Sequence, residues 1–344
     1  MRAGFAIPGH LATPTGGYGY ARAVLSAAPG AGLDLRHVPL PGGFPFPSEA
    51  ALAATRAILA AADRPLLVDG LAYGALPPEV IAAARVPLVA LCHHPLGLET
   101  GLDPETAERL IDSEARALAL AHHVVTVSET TKATIMDRLG VPPDRITIAQ
   151  PGLPRAEMAP RRGSPPLILS VGSLTPRKGH DVLIRALARI AEAPWACRIA
   201  GAGEPGSDWP LRLRAQVAEA GLVHRITFLG AMDSTALEEH YQAADIFCLP
   251  SRYEGYGMVF AEAMMRGLPI VACRAGPLEE VVPASAGLLA PPDDDAAIAD
   301  FLAILLTNRP VADRMAAAGR AHALTLPDWP DTAVRIAGVL RAVS

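Results

Sequence analysis

Charges, aromatic residues and cysteines are all scarce in this sequence, and each shortage excludes something. Charged residues make up 19% of the 344, the formal net charge is −5, and no basic run is longer than the pair Arg161-Arg162. A nucleic-acid partner needs a basic stripe to neutralise phosphates, so none is expected, and the arginine pair reads as a solvated part of a linker. Cys92, Cys197, Cys248 and Cys273 each stand alone in an apolar run, with no CxxC spacing. That argues against a zinc site or a redox pair and for buried free thiols in a reducing compartment. No uninterrupted apolar run approaches the ~18 residues of a membrane-crossing helix. The opening "MRAGFAIPGH" has its proline and polar residues too early for a signal peptide. A cytoplasmic location is expected, and membrane association is left open.

What the sequence does have is apolar bulk. A hydrophobic content of 51% describes a packed globular protein, and 344 residues suit two domains better than one. Short apolar runs ending in Gly, Pro, His or Ser ("RAGFAIPG", "PLLVDG", "VPLVALCHH", "HHVVTVS", "ITIAQPG") alternate with Ala-rich helical stretches such as "SEAALAATRAILAAA". Buried parallel strands read as continuous apolar runs with helices on both faces, the pattern of a doubly wound α/β unit. The pattern breaks at the Pro-rich "PGLPRAEMAPRRGSPP" and restarts with "LILSVGSL", "CRIAGAG", "ITFLGAM", "ADIFCLPS" and "PIVACRAG". The expected organisation is a first domain over 1–155, a linker over 156–166, a second domain over 167–325, and a last amphipathic helix within 326–344 that can cross back to the first domain. Two such domains would face each other across a cleft. Ligands of open α/β sheets bind beyond the carboxyl ends of the strands, so the chemistry is sought in the loops there.

One such loop is "SRYEGYGMVFAEAMMRG". Glu254 follows the strand "ADIFCLPS", and Gly255 and Gly257 let the backbone approach a ligand closely. The first N–H groups of the next helix, around Tyr256, Gly257, Met258 and Val259, lack intrahelical partners and attract phosphate or sugar oxygens. Glu262 lies further into that helix among small and apolar neighbours. A half-buried carboxylate needs donors, and the vicinal hydroxyls of a ribose would satisfy it; Glu254 would then accept from hydroxyls of a second sugar. In "LILSVGSLTPRKGHDVL" the cations Arg177 and Lys178 precede a helix, where they suit a diphosphate leaving group.

The run "EGYGMVFAEAMMRGLPIVA", with Glu, seven residues, and Glu, resembles the signature of retaining glycosyltransferases of family four. It departs from the usual pattern in having Tyr256 where the family has Phe. The resemblance implies the GT-B fold, two Rossmann-like domains facing across a cleft. It implies transfer of a hexose from a UDP- or GDP-sugar to a hydroxyl acceptor, such as a glycan or glycolipid precursor, with retained configuration. The nucleotide sugar is then a co-substrate, with no resident cofactor and no metal. The candidate catalytic set is His93, Arg177, Lys178 and Glu254. Donor binding falls to Gly16, Gly17, Gly201, Gly203, Gly255, Tyr256, Gly257, Met258 and Glu262. In the family a Gly-Gly loop like Gly16-Gly17 approaches the donor phosphate. A G-x-G turn like Gly201 and Gly203 lines the base, and the turn Leu229 to Met232 flanks it.

His93 takes the family's usual histidine place and His94 the next, often Asp; Glu99 is close by. The formal GxGxxG of Gly201, Gly203 and Gly206 is rejected as a dinucleotide motif, since Pro205 and Pro210 interrupt the helix it requires. Ser128 reads as an N-cap, in a motif that borders the family's acceptor site, and Gly276 and Glu280 echo a further family pattern. Asp293 to Asp295 read as helix capping. A sugar-nucleotide epimerase or hydrolase, or a non-catalytic sugar-nucleotide binder, is the alternative.

Overall fold

The computed structural model describes residues 1–13, 15–99, 101–204 and 206–344. The chain divides into two compact units, Met1–Gly152 with Pro327–Ser344, and Leu153–Leu326. The first is built on strands β1 (Arg2–Pro8), β2 (Asp34–Leu40), β3 (Leu66–Asp69), β4 (Leu88–Cys92), β5 (His123–Thr126) and β6 (Ile146–Ile148). Their order across the sheet is β2-β1-β3-β4-β5-β6, and every neighbouring pair is parallel. The second unit holds β7 (Leu167–Val171), β8 (Ala196–Ala200), β9 (Ile226–Gly230), β10 (Ile246–Leu249), β11 (Ile270–Cys273) and β12 (Gly287–Ala290). Its order is β12-β11-β10-β7-β8-β9, again all parallel. Both are doubly wound sheets, as the alternating runs predicted, and the second has the strand order of a dinucleotide-binding fold.

The central strands are apolar because helices cover both their faces. All residues of β3, β4, β7, β10 and β11 are buried. The four cysteines are free and buried within or beside these strands. The helix Trp329–Ala342 opens with a capping box of Asp328 and Asp331 and belongs to the first unit. There Trp329 packs edge-on against Tyr20 at 5.5 Å, and Thr332 donates to Gln150 O at 2.7 Å. Among the described residues no helix is long and apolar enough to cross a membrane.

The segment read as a linker differs from that expectation. The division falls at Gly152/Leu153, and residues 153–166 are a strap packed on the second unit. Arg161, taken as solvated, is 6% exposed and donates through Nε to Asp245 O at 3.0 Å and through Nη1 to Asp313 at 2.9 Å. Asp245 in turn accepts the N–H groups of Gly163 and Leu167. Arg161 and the Gly163 and Leu167 amides thus find partners on the unit the strap crosses, which lets this part of a Pro-rich segment lie buried.

Candidate functional site

In an open parallel sheet the crevice lies where the strand order reverses. In the second unit that point is between β7 and β10, and the segments leaving those strands meet. Past β7 comes the short 3-10 turn Pro176–Lys178; past β10 comes the loop from Ser251 to Gly257. Lys178 Nζ donates to both oxygens of Glu254, at 2.7 and 2.9 Å, and the Ser251 hydroxyl donates to Oε1 at 2.6 Å. Arg177 stands 3.9 Å from Oε2 and donates to Tyr253 O at 3.1 Å. Glu254 is 4% exposed. Burial pushes its carboxyl up, but Lys178 and Arg177 outweigh burial and hold it below the usual range. The two cations and the carboxylate therefore form one cluster with partly matched charges.

Glu262 lies in the helix Met258–Met265, and its Oε2 accepts the Tyr241 hydroxyl at 3.0 Å. Arg266 lies over the Tyr241 ring at 4.4 Å and donates to Glu262 O at 2.8 Å. Burial raises the Glu262 carboxyl, and the Tyr241 bond opposes that shift. The helix starts after Gly257, which gives no side-chain cap to its first N–H groups. Gly276 explains itself here. Its φ is +59°, and a Cβ would lie 2.1 Å from Glu254 O, so only glycine lets the segment after β11 press against the Glu254 loop. Gly201 backs Gly172, whose own Cβ position is 3.3 Å from the Lys178 chain, and Gly203 bridges to Leu174. Gly255 and Met258 are half-buried and Tyr256 is buried. Pro205 lies outside the described residues, and the helix beyond the glycines begins at Trp209.

In the first unit the order reverses between β1 and β3. His93 follows β4, and its Nε2, buried without a hydrogen-bond partner, is 4.0 Å from Asp69 Oδ2 at the end of β3. Its ring meets Tyr20 edge-on at 5.1 Å. Burial, helped by His94, lowers its pKa to about 4, so it is neutral at neutral pH. Burial raises Asp69 to about 6, against the N–H bond from Leu71. His94 turns instead to Glu99, 3.2 Å away. Gly16 and Gly17 are not a loop ahead of the helix, as expected, but its first two residues, in Gly16–Ala27. The His93 ring lies 3.7 Å from where a Gly17 Cβ would sit, so the bare first turn leaves that ring room. Ser128 is buried and caps its helix by accepting Thr131 N–H at 3.0 Å. Asp294 caps the helix Asp295–Thr307, while Asp293 pairs with Arg252 and Asp295 with Arg185 and Arg189.

Sequence reasoning passed over Ser251, Tyr241, Asp69 and Glu114. Asp69 had a signal, an acid closing the buried run "PLLVD", and Ser251 lay in the quoted loop. Nothing local marks Tyr241 or Glu114. Glu114 is 1% exposed and accepts Leu96 N–H at 2.7 Å and the Cys92 thiol at 3.5 Å. It thereby anchors the segment that follows His93 and His94. Among the described residues no group of three or more His, Cys, Asp or Glu is placed to hold a metal ion.

Two family profiles divide the chain between them. The one described as Glycosyltransferase Family 4 matches residues 10–157, and the one described as Glycosyl transferases group 1 matches residues 157–322. The chain belongs to glycosyltransferase family 4. Family relatives include the D-inositol 3-phosphate glycosyltransferase of Acidothermus cellulolyticus, 33% identical over 74% of this chain and 62% of that protein. Another is the GDP-mannose-dependent alpha-(1-6)-phosphatidylinositol monomannoside mannosyltransferase of Mycobacterium tuberculosis, 32% identical over 54% of this chain and 51% of that protein. The chain thus spans about three fifths or less of the length of these curated relatives. Among solved structures, sucrose-phosphate synthase from Thermosynechococcus elongatus superposes with a TM-score of 0.83 at 21% identity, over 99% of this chain and 98% of that one. Anabaena HepE in complex with UDP-glucose gives 0.80 at 19% identity, over 98% and 99%. These likenesses give the family 4 chain its fold: two Rossmann-like units, the GT-B architecture.

Proposed function

We propose that this chain is a retaining glycosyltransferase that moves a hexose from a nucleoside diphosphate sugar to the hydroxyl of a glycan or glycolipid precursor. The observation that carries the reading is the cluster of Arg177, Lys178, Ser251 and Glu254 at the strand-order reversal of the second unit. A diphosphate and a polyol need adjacent cations and an ionised, hydrogen-bond-accepting carboxylate, and this cluster supplies both. Arg177, Lys178 and the uncapped helix start at Gly257 hold the diphosphate. Glu254 accepts from hydroxyls of the transferred sugar. Glu262, steadied by Tyr241, accepts from the ribose. In the first unit, neutral His93 beside Asp69 and Gly17 offers a hydrogen bond to a hydroxyl-bearing substrate. The Acidothermus and Mycobacterium relatives, by their names, act on inositol phosphate and phosphatidylinositol mannoside, which supports a polyol acceptor here.

In the step we infer, the bond between the anomeric carbon and the phosphate oxygen breaks, and the acceptor oxygen bonds the same face of that carbon. The acceptor proton passes to the leaving phosphate oxygen. The cations stabilise the charge that builds on the diphosphate, where stabilisation accelerates the chemistry rather than only the binding. The test is a panel of UDP- and GDP-hexoses, each assayed for binding by calorimetry and for transfer to polyol acceptors. Binding of at least one, with turnover lost in Glu254→Gln, is the expected result. Absence of binding across the panel refutes the reading, and sugar release that needs no acceptor replaces it with hydrolysis.

A further inference from the structure

The cations of the cluster ride on a turn of only three residues, Pro176–Lys178, which closes on itself through Lys178 N–H to Thr175 O at 3.1 Å and Gly179 N–H to Pro176 O at 3.2 Å. Two such bonds do not fix where the turn sits. Besides the side-chain contacts of Arg177 and Lys178 with the Glu254 loop, what grips the turn's backbone is Arg252, a residue that the proposed chemistry leaves unused. Its backbone N–H donates to Arg177 O at 2.8 Å, and its guanidinium donates to Pro176 O. The same guanidinium grips Asp181 in fork geometry, Nη1 to Oδ1 at 3.0 Å and Nη2 to Oδ2 at 2.7 Å, and reaches Asp293 through Nε at 2.8 Å. Asp181 is in the first turn of the helix His180–Arg189, directly beyond the cation turn, and also accepts Arg185 at 3.1 Å. Behind the turn Gly179, at φ +66°, lets Pro250 O approach so closely that a Cβ would stand 1.9 Å from it.

A fork-to-fork pair between partly buried groups holds direction as well as distance. Arg252 spends its donors on backbone oxygens of the residues that precede and carry the cations, while its own chain position is two residues from Glu254. We propose that the Asp181–Arg252 pair is a positioning device for the donor site: it locks the turn bearing Arg177 and Lys178 onto the loop bearing Glu254, so that the cations and the carboxylate meet the nucleoside diphosphate sugar at one fixed spacing. The donor role rests on the function proposed above. A pair that only stabilised the fold would lower the melting temperature when broken and leave the affinity of the folded protein alone.

The test uses Arg252→Gln, Asp181→Asn and the double variant of the whole chain, with two readouts. In the free protein, hydrogen exchange at the Arg252, Lys178 and Gly179 amides should quicken at least tenfold in each variant. By calorimetry, the Kd for UDP or GDP, whichever the wild type binds, should weaken about tenfold in each single variant, with the double variant no worse than either, because the two residues act as one unit. Should Arg252→Gln fail to fold, Asp181→Asn carries the same test, since Asn keeps one acceptor oxygen for the fork. Wild-type exchange rates in the variants, or faster exchange with a Kd within twofold of wild type, overturn the proposal. A wild type that binds neither nucleoside diphosphate overturns the functional reading and the donor role with it. A wild type that binds while the variants bind equally well overturns the positioning role alone.

Discussion

Glu114 is a buried acid of the first unit whose ionisation bears on stability, and Glu114→Gln isolates that effect. The side chain is 1% exposed, and its two contacts are the Leu96 amide and the Cys92 thiol. Burial raises its pKa from 4.5 to about 7, the two hydrogen bonds pulling the other way. An acid with a raised folded pKa holds its proton more tightly when folded, so protonation favours the fold. Its contribution is whole below pH 4.5 and is lost as pH rises through 7. At 1.36 kcal/mol per pKa unit the full swing is about 3 kcal/mol, of which about 2.5 kcal/mol falls between pH 5 and pH 8. Gln keeps an oxygen for Leu96 N–H and does not titrate. Whatever fixed offset it introduces, the stability of wild type relative to variant should fall by about 2.5 kcal/mol from pH 5 to pH 8. Asp69, raised to about 6, titrates in the same window in both proteins and cancels in the difference. A chain of two compact units need not unfold in one transition, so the measurement is the opening free energy of β4 and β5 amides by hydrogen exchange, which reads the first unit alone. A gap constant within about 0.5 kcal/mol between the two pH values would show that Glu114 does not hold its proton in the fold, and the reasoning fails.

Three further outcomes are expected. Gly276→Ala puts a Cβ against Glu254 O at a left-handed φ, which should cost about 2 kcal/mol in the second unit and weaken donor binding, read by urea unfolding and calorimetry. Lys178→Met removes the main pull on Glu254, so burial governs it. The wild-type carboxylate stabilises above its ordinary 4.5 and loses that contribution as pH falls, whereas the variant should lose stability as pH rises, and the gap in melting temperature should widen from pH 4 to pH 7. An NMR titration should place the His93 midpoint near pH 4, its neutral form being the one the fold favours, and a midpoint near 6.5 would show the ring to be solvated.

The central strands were legible because burial on both faces demands continuous apolar runs, and "PLLVDG", "ADIFCLPS" and "PIVACRAG" have no other use for them. One edge strand of each sheet escaped for the converse reason, while the edges β6 and β9 were read from "ITIAQPG" and "ITFLGAM". β2 reads "DLRHVPL", with Asp34, Arg36 and His37 exposed along it, and β12 is four residues long at the opposite edge of the second sheet. A strand with one neighbour need not be apolar throughout. The supposed linker shows a second limit. Proline and polar residues announce irregular backbone, but they do not say what that backbone lies against, and Arg161 looks solvated until Asp245 and Asp313 arrive from elsewhere in the chain.

The site divides along the same line. Glu254, Gly257 and Glu262 lie within one short segment, so their spacing is itself the geometry: strand end, turn, helix start, and one face of that helix. Whatever joins different segments has no spacing to read. Lys178 and Glu254 are 76 residues apart, as are Arg252 and Pro176. Only the strand order, which sets β7 beside β10, brings them together. Tyr241 reaches Glu262 from a helix of its own, and Asp69 reaches His93 because β3 and β4 are neighbours. Motifs therefore locate the groups proposed to touch a ligand, whereas the groups that hold them in place follow from the order of strands in the sheet. Asp181, Tyr241 and Glu114 belong to this second kind, so variants at these three positions test what the fold contributes to the proposed chemistry apart from the motif.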